Sequence, residues 1–161
     1  MAFLTQNMNQ FKQAPILGGV DEIPTPDVVS AQINPSSVAT AIQVGSLVKL
    51  VAGASGAIVV DVVTGPTDGP VFGCIPFNQR KNIYSPGNYV EVACGGAYMY
   101  MKSSAAIARG DTVSGTAATT TADPTVATDT TSGHFACGIA VDIATGANQL
   151  IRVKIAASKL P

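Results

Sequence analysis

Residues 71–113 read VFGCIPFNQRKNIYSPGNYVEVACGGAYMYMKSSAAIARGDTV and hold the clearest alternating patterns of the chain. Within them, Val90 and Val92 alternate with the more polar Tyr89 and Glu91. Successive side chains of a strand point to opposite faces, so this pattern gives one apolar face and one mixed face. The stretch therefore predicts β-structure.

Turn residues divide this stretch into strands. Residues 85–88, Ser-Pro-Gly-Asn, place a proline with a fixed φ before a glycine that accepts positive φ, which is typical of a type II turn. Further on, Gly95-Gly96 precedes residues 98–101, where two tyrosines alternate with two methionines. Two glycines between alternating runs favour a hairpin. We expect the strand over 98–101 to be covered on both faces.

The flanking sequence continues the β pattern. Residues 44–51 and 58–63 are rich in valine and leucine and are separated by Gly-Ala-Ser-Gly at 53–56, which predicts another hairpin. Residues 135–141 and 149–155 predict the two closing strands, the second with Ile151, Val153 and Ile155 on its packed face. About eight short strands with glycine and proline turns predict an all-β fold, a small β-barrel or sandwich.

The N-terminal part of the chain has a different amino-acid composition. Residues 1–43 contain Pro15, Pro24, Pro26 and Pro35, which disfavour regular ladders, so we expect an extended N-terminal arm before a single β domain over 44–161. Its apolar side chains favour docking on a neighbouring subunit over a disordered tail, because disordered tails are poor in such residues. The expected docking residues are Phe3, Leu4, Met8, Phe11, Ile16 and Leu17.

A threonine-rich segment interrupts the β domain. Residues 114–133 contain Asp-Pro at 123–124 and few large apolar side chains. The segment is either a surface loop or a hairpin that turns at Asp-Pro, because long structureless loops are uncommon in compact domains. We expect an irregular excursion with some strand character.

Charge is scarce in this chain. The sequence has nine basic and ten acidic residues, and charged residues make up 12% of the total. Such a chain has no field that would attract nucleic acid or an anionic membrane, so neither is an expected partner. The N-terminus lacks the basic start and apolar core of a secretory signal, which predicts synthesis in the cytoplasm. Arg80 beside Lys81 is better suited to an intersubunit contact than to phosphate binding.

No arrangement of residues in the sequence points to catalysis. His134 is the one histidine, and Cys74, Cys94 and Cys137 have no metal-type spacing. Apolar neighbours favour buried thiols. We therefore expect no enzyme activity, no catalytic residues, no metal and no cofactor.

Seven motifs resemble those of the capsid decoration, or cement, proteins of tailed bacteriophages. They are FGCI (72–75), NIY (82–84), PGNYVEVA (86–93), GGAYM (95–99), AAIARGDTV (105–113), GIAVD (138–142) and IRVKI (151–155). The resemblance implies a small all-β protein of β-tulip-like type, made in the host cytoplasm and located on the outer surface of the virion, commonly as a homotrimer. Its partner would be the major capsid protein, and neighbouring capsid subunits would be held together against internal DNA pressure. Arg80 and Tyr84 join the arm residues as expected capsid or intersubunit contacts.

Two other functions are compatible with the sequence. One is a phage tail or surface receptor-binding β module with the threonine-rich segment at its tip. The other is a small hydrolase with a site assembled from separated aspartate and serine residues.

Overall fold

The computed structural model describes residues 17–18, 20–21, 27–52, 57–116 and 124–161. Every regular element in these ranges is a strand. The strands are β1 (Val20–Asp21), β2 (Val28–Ile33), β3 (Ile42–Gln43), β4 (Leu47–Leu50), β5 (Val59–Val62), β6 (Gly73–Cys74), β7 (Ile83–Tyr84), β8 (Tyr89–Ala93), β9 (Tyr98–Ser103), β10 (Thr112–Gly115), β11 (Thr125–Thr128), β12 (Phe135–Ala140) and β13 (Leu150–Lys159). The predicted all-β barrel fold is confirmed.

The first half of the chain closes into a barrel, called here the N-terminal barrel. Its strands are hydrogen-bonded in the order β2-β5-β4-β6-β8, and β8 pairs back onto β2. Only β2 and β5 are parallel. Alternate apolar residues of these strands, including Val48, Val60 and Val92, are buried in its interior together with Ile42 and Tyr84 from the small β3–β7 pair.

The second half closes in the same way, into the C-terminal barrel. Its strand order is β9-β11-β10-β12-β13, and β13 pairs with β9 over five registered positions. Here β9 and β11 are the parallel pair. Met99 and Met101 on the inner face of β9 are completely buried against Ile151 and Val153 of β13.

The two barrels are copies of one topology. In each, the first strand pairs in parallel with the third, and the order of strands around the barrel is first, third, second, fourth, fifth. The registers agree as well as the order. Ile33, Val48, Val60, Gly73 and Val92 of the N-terminal barrel occupy the same ladder positions as Ser103, Val113, Val126, Gly138 and Val153 of the C-terminal barrel.

The turns repeat with the strands. Gly45 has a positive φ and donates its N–H to Ile75 O at 2.7 Å; Gly110 has a positive φ and donates to Ala140 O at 2.8 Å. The Ile42–Tyr84 pairing of β3 and β7 also has a counterpart, the bridge between Ile107 and Ala144. The chain is therefore a tandem of two equivalent barrels, a repeat that the sequence analysis did not predict.

The barrels pack against each other through a shared core. Leu47, Cys74 and Ala93 lie side by side on the outer face of β4, β6 and β8, and we call them the N-terminal outer row. All three are buried and belong to the same apolar cluster as the C-terminal barrel interior. In addition, Phe135 donates its N–H to Pro66 O at 2.7 Å. The contact is apolar and continuous, so the two barrels form one packed body.

Two boundaries differ from the prediction. The expected arm extends to residue 43, but β2 is an integral barrel strand paired with both β5 and β8. Its residues alternate between exposed and buried, and this alternation, not the nearby prolines, decides its state. The threonine-rich segment has the expected strand character, but its strand β11 pairs with β10 and β9 and is thus an integral part of the second barrel. Residues 117–123 lie outside the described ranges.

The predicted turns had mixed outcomes. The hairpin of residues 44–51 with 58–63 is confirmed as β4 and β5. At residues 85–88, Gly87 has a φ of 82° and Asn88 donates its N–H to Ser85 O, as a type II turn requires. The hairpin at Gly95-Gly96 is wrong: β8 and β9 belong to different barrels, because β13 takes the edge of β9 that a hairpin would use.

Candidate interaction surfaces

Most of the predicted docking residues lie outside the described ranges. These are Phe3, Leu4, Met8, Phe11 and Ile16. Leu17 is described, and it packs within its own chain. An ideal Cβ on Gly45 would lie 2.9 Å from both Cγ and Cδ1 of Leu17, so the leucine covers the β4 turn of the N-terminal barrel.

The neighbouring Gly18 ties the two barrels together. Its N–H donates to Tyr100 O of the C-terminal barrel at 2.7 Å, and its carbonyl accepts from Phe77 N of the N-terminal barrel at 2.7 Å. Backbone hydrogen bonds to both barrels fix this residue at the seam between them. Residues 17 and 18 thus serve an intramolecular role, which the sequence pattern did not predict.

Arg80 and Tyr84 lie in one corner of the N-terminal barrel but in opposite environments. Arg80 is exposed in a turn in which its N–H donates to Asn78 Oδ1 at 2.9 Å. The ring of Tyr84 is 5% exposed and packs in the barrel core, so the structure places it inside its own chain and not at a contact surface. The ammonium group of Lys81 lies over the ring of Tyr84, with Nζ 5.1 Å from the ring centroid.

Several large apolar side chains are exposed, and sequence reasoning did not select them. They are Val28, Val38, Leu50, Ile58, Ile83, Tyr89, Ile139 and Ile143. Leu50 and Ile58 lie together at one end of the N-terminal barrel, where β4 ends and the chain approaches β5. Ile139 of β12 points outward, whereas its neighbour Gly138 points inward. The alternation of side chains along this strand was the sequence signal that could have predicted the exposure of Ile139.

An open groove of about 330 Å³ lies where the C-terminal barrel meets Pro66 of the N-terminal barrel. Its polar wall contains Ser114, Asp129 and His134. His134 Nδ1 lies 2.9 Å from Asp129 Oδ2. The hydroxyl of Ser114 is buried in this wall and helps to stabilise the Asp129 carboxylate.

Asp129 is held in its charged form. Burial opposes ionisation, but hydrogen bonds from the Thr131 N–H and from His134 outweigh it, and they lower the pKa of this carboxyl to about 2. A nucleophile–base pair would require Ser114 to bond His134, and no such bond links them among the described residues. The cluster is therefore structural: its hydrogen bonds hold the connection between β11 and β12 in place.

The cysteines are packed as the sequence analysis expected. Cys74 and Cys137 are buried, and Cys94 is half-buried. Burial raises the pKa of the Cys137 thiol to about 12 and also raises that of Cys74. A thiol in this state is a poor nucleophile and a poor metal ligand. No group of three or more histidine, cysteine, aspartate or glutamate side chains in the described ranges could hold a metal ion.

Two ion pairs lie on the outside of the barrels. Arg152 of β13 donates from Nε and Nη2 to the two carboxylate oxygens of Asp142, at 2.9 and 2.8 Å. This fork lowers the pKa of the Asp142 carboxyl. Lys49 pairs with Asp68 on the N-terminal barrel. Within the described segments, no helix has the length and apolar character to cross a membrane.

Neither a protein-family model nor a curated protein matches the sequence. The chain is similar to the crystal structure of the head fiber gp8.5 N base of bacteriophage phi29, with a TM-score of 0.51 and 18% sequence identity. The match covers 84% of this chain and 98% of that chain, so it extends over parts of both barrels. At this identity, the likeness supports the all-β fold.

Proposed function

We propose that this chain is a structural protein of a bacteriophage virion that binds the outside of the capsid and holds neighbouring major capsid subunits together. The observation that carries the proposal is the double-barrel fold, which is similar over most of its length to the base of a phage head fibre. The cement-protein motifs of residues 72–155 support it independently.

The physical character of the molecule suits adhesion. The N-terminal outer row is part of the apolar core of the C-terminal barrel, and this contact holds the outer surfaces of the two barrels in fixed relative positions. Exposed apolar side chains are distributed over both barrels. Basic residues are scattered along the sequence, and Arg80 and Lys81 are the only two that are neighbours in it. Contacts of this kind gain affinity from buried area and multivalency rather than from long-range charge. In this proposal the chain acts without catalysis and without a cofactor.

Self-association is part of the proposal. A homotrimer would present six barrels to the capsid, so that the first contact makes the later ones intramolecular. Modest individual contacts would then add up to slow dissociation. The residues before Leu17 are proposed as further capsid contacts, and Arg80 as a peripheral one.

Co-sedimentation with capsids tests the proposal. Purified protein is mixed with mature heads that lack it, and the bound fraction is measured after pelleting. We expect saturable binding to heads and a higher temperature of head disruption when the protein is bound. Retention in the supernatant at every protein concentration would refute capsid binding.

Two variants assign the contacts. Deleting residues 1–16 keeps Leu17 and Gly18, which join the barrels, and we expect it to weaken binding at least tenfold. Arg80→Ala is expected to weaken binding severalfold, because the residue is exposed at a corner. Thr130→Ala, at an exposed position between β11 and β12 of the C-terminal barrel, is the matched control and should bind normally. Binding to host cells or glycans but not to heads would instead support the receptor-binding function.

A further inference from the structure

The two barrels contact each other through different surfaces. The N-terminal barrel contributes its outer row and the turn at Gly45, while the C-terminal barrel contributes the end formed by Gly115 and Pro124. An ideal Cβ on Gly115 would lie 2.8 Å from Leu47 Cδ1, and one on Gly45 would lie 3.4 Å from Pro124 Cγ. The internal contact therefore joins the end of one barrel to the side of the other, and this is a heterologous arrangement.

Because the barrels are equivalent, each also carries the surface that the other uses. The positions that match Gly115 and Pro124 are Leu50 and Ile58, which form the end of the N-terminal barrel. Both are exposed, at 55% and 42%. This end is the free counterpart of the surface that the C-terminal barrel buries.

The outer row is repeated too. Leu47, Cys74 and Ala93 match Thr112, Ile139 and Lys154, which lie side by side on β10, β12 and β13 and form the C-terminal outer row. Ile139 is 45% exposed, and Lys154 is exposed. The turn beside this row is open: among the described residues, an added Cβ on Gly110 would meet nothing within 4 Å.

We propose that these two free surfaces bind each other between copies of this chain. The end of the N-terminal barrel of one molecule would dock on the C-terminal outer row of the next, repeating between molecules the contact made inside each. Repetition of a heterologous contact closes into a ring or continues as a chain, depending on its rotation angle. This inference deepens the self-association part of the proposed function by naming its surface.

The side chains are complementary in size for this contact. Inside the molecule, the large Leu47 faces Gly115, which has no side chain. Between molecules, the large side chain would belong to the barrel end and the smaller one to the outer row. Leu50 at the end of one N-terminal barrel would face Thr112 of the next molecule. In the same way Ile58 would lie over Gly110, as Pro124 lies over Gly45. Each pair combines one larger and one smaller residue, so the two surfaces are complementary in size at these positions.

The polarity of the row fits a contact between separate molecules. Its centre is the apolar Ile139, and its flanks are Thr112 and the long stem of Lys154. An apolar centre with a polar rim is typical of interfaces whose partners also exist apart. The internal row of leucine, cysteine and alanine is wholly apolar because the C-terminal barrel covers it permanently.

Disulfide trapping between two single-cysteine variants tests the inference. The purified full chain carries Cys94→Ser, so that its accessible thiols are only the introduced ones, while the buried Cys74 and Cys137 are kept. Leu50→Cys and Thr112→Cys proteins are mixed and oxidised mildly. We expect the mixture to form a 50–112 cross-linked dimer at least tenfold faster than either variant alone. Val38→Cys mixed with Thr112→Cys is the control, because Val38 is 81% exposed and outside both surfaces.

Oligomer mass provides the second measurement. Leu50→Asp and Ile139→Asp should each weaken self-association at least tenfold by sedimentation analysis, with Val38→Asp unchanged. Cross-linking of the mixture at the control rate, or a wild-type protein that stays monomeric at high concentration, would overturn the inference. Both measurements use protein without heads, so their failure would be distinct from a failure of capsid binding in the pelleting assay.

Discussion

Two glycines at equivalent positions allow each barrel to close. Gly73 of β6 and Gly138 of β12 both face the backbone of the fifth strand of their barrel. A Cβ at Gly73 would lie 2.5 Å from Ala93 O, and one at Gly138 would lie 2.1 Å from Lys154 O. These distances are shorter than any normal contact, and the obstacle is backbone, which cannot move aside without disturbing the ladder. The absence of a side chain is what both positions require.

Gly138→Ala is therefore expected to destabilise the protein by about 3 kcal/mol, at the upper end of the cost of overpacking. The measurement is the free energy of unfolding from urea titration followed by circular dichroism. Gly95→Ala is the matched control, because none of the described residues has an atom within 4 Å of an added Cβ there. This variant should change the free energy of unfolding by less than about 0.5 kcal/mol. Equal stability of the two variants would contradict this role of Gly138.

Asp129 makes stability depend on pH. Its pKa in the folded state is about 2, below its ordinary value of 3.8, so the folded state favours the carboxylate. The associated stabilisation is complete above pH 4 to 5 and is lost as the pH falls towards 2. It amounts to about 2 kcal/mol, since each unit of pKa difference corresponds to about 1.4 kcal/mol.

We expect Asp129→Asn to lower the free energy of unfolding by about 2 kcal/mol at pH 7, and the deficit to shrink between pH 4 and pH 2. Urea titrations of both proteins across this range provide the measurement. Asp27→Asn, at an exposed carboxylate, serves as the control and should remain within about 0.5 kcal/mol throughout. A deficit that stays constant with pH would show that Asp129 acts through shape rather than charge.

At the scale of elements, β2 decides whether the N-terminal barrel exists. Five of its residues pair with β8, and its last two residues pair with β5. A barrel that loses one strand exposes two unpaired edges and opens its core. The prolines around β2 suggested a detached arm, but they lie before and after the strand and leave its ladder intact.

Truncation tests this boundary. A protein that begins at residue 17 should retain its thermal midpoint within a few degrees, because the described barrels and the seam at Gly18 are complete. A protein that begins at residue 34 should lose cooperative unfolding or fail to accumulate in soluble form. Circular dichroism melting of both proteins is the measurement. A cooperative transition in the shorter protein would contradict the assignment of β2 to the barrel.

At the scale of the whole molecule, we expect the apolar contact between the two barrels to make them unfold together. Leu47, Cys74 and Ala93 would face water if the C-terminal barrel unfolded alone, and Met99 and Met101 belong to the same cluster. Exposing this much apolar surface disfavours a half-folded state. We therefore expect the chain to unfold as one cooperative unit, although each half has a complete barrel.

Leu47→Ala probes this coupling. It removes a buried side chain at the contact, and we expect a loss of about 3 kcal/mol in one calorimetric transition whose calorimetric and van't Hoff enthalpies agree. Val38→Ala, at the most exposed large apolar residue described, should leave the transition unchanged. Two separate transitions in the wild-type protein would show that the barrels are independent.

The functional surfaces were predictable only in part. The exposure of Arg80 could be read from its polar turn, because such turns run over the surface. The burial of Tyr84 depends on barrel residues that are remote from it in sequence. The same holds for Leu17, which packs on the turn at Gly45. Leu50 and Ile58 resemble core residues by type, and only their position at a barrel end exposes them.

The sequence by itself determined the local structure: the strands over 89–93 and 150–155, the turn at Gly87 and the β4–β5 hairpin follow from alternation, proline and glycine. The tertiary structure alone decided which strands are partners. Alternation says which side of a strand is apolar but not which edge it pairs with, so Gly95-Gly96 could equally join a hairpin or connect two barrels. The repeat was hidden for the same reason. A barrel interior requires only apolar side chains in the right phase, so Ala31 and Met101 fill equivalent positions without being alike.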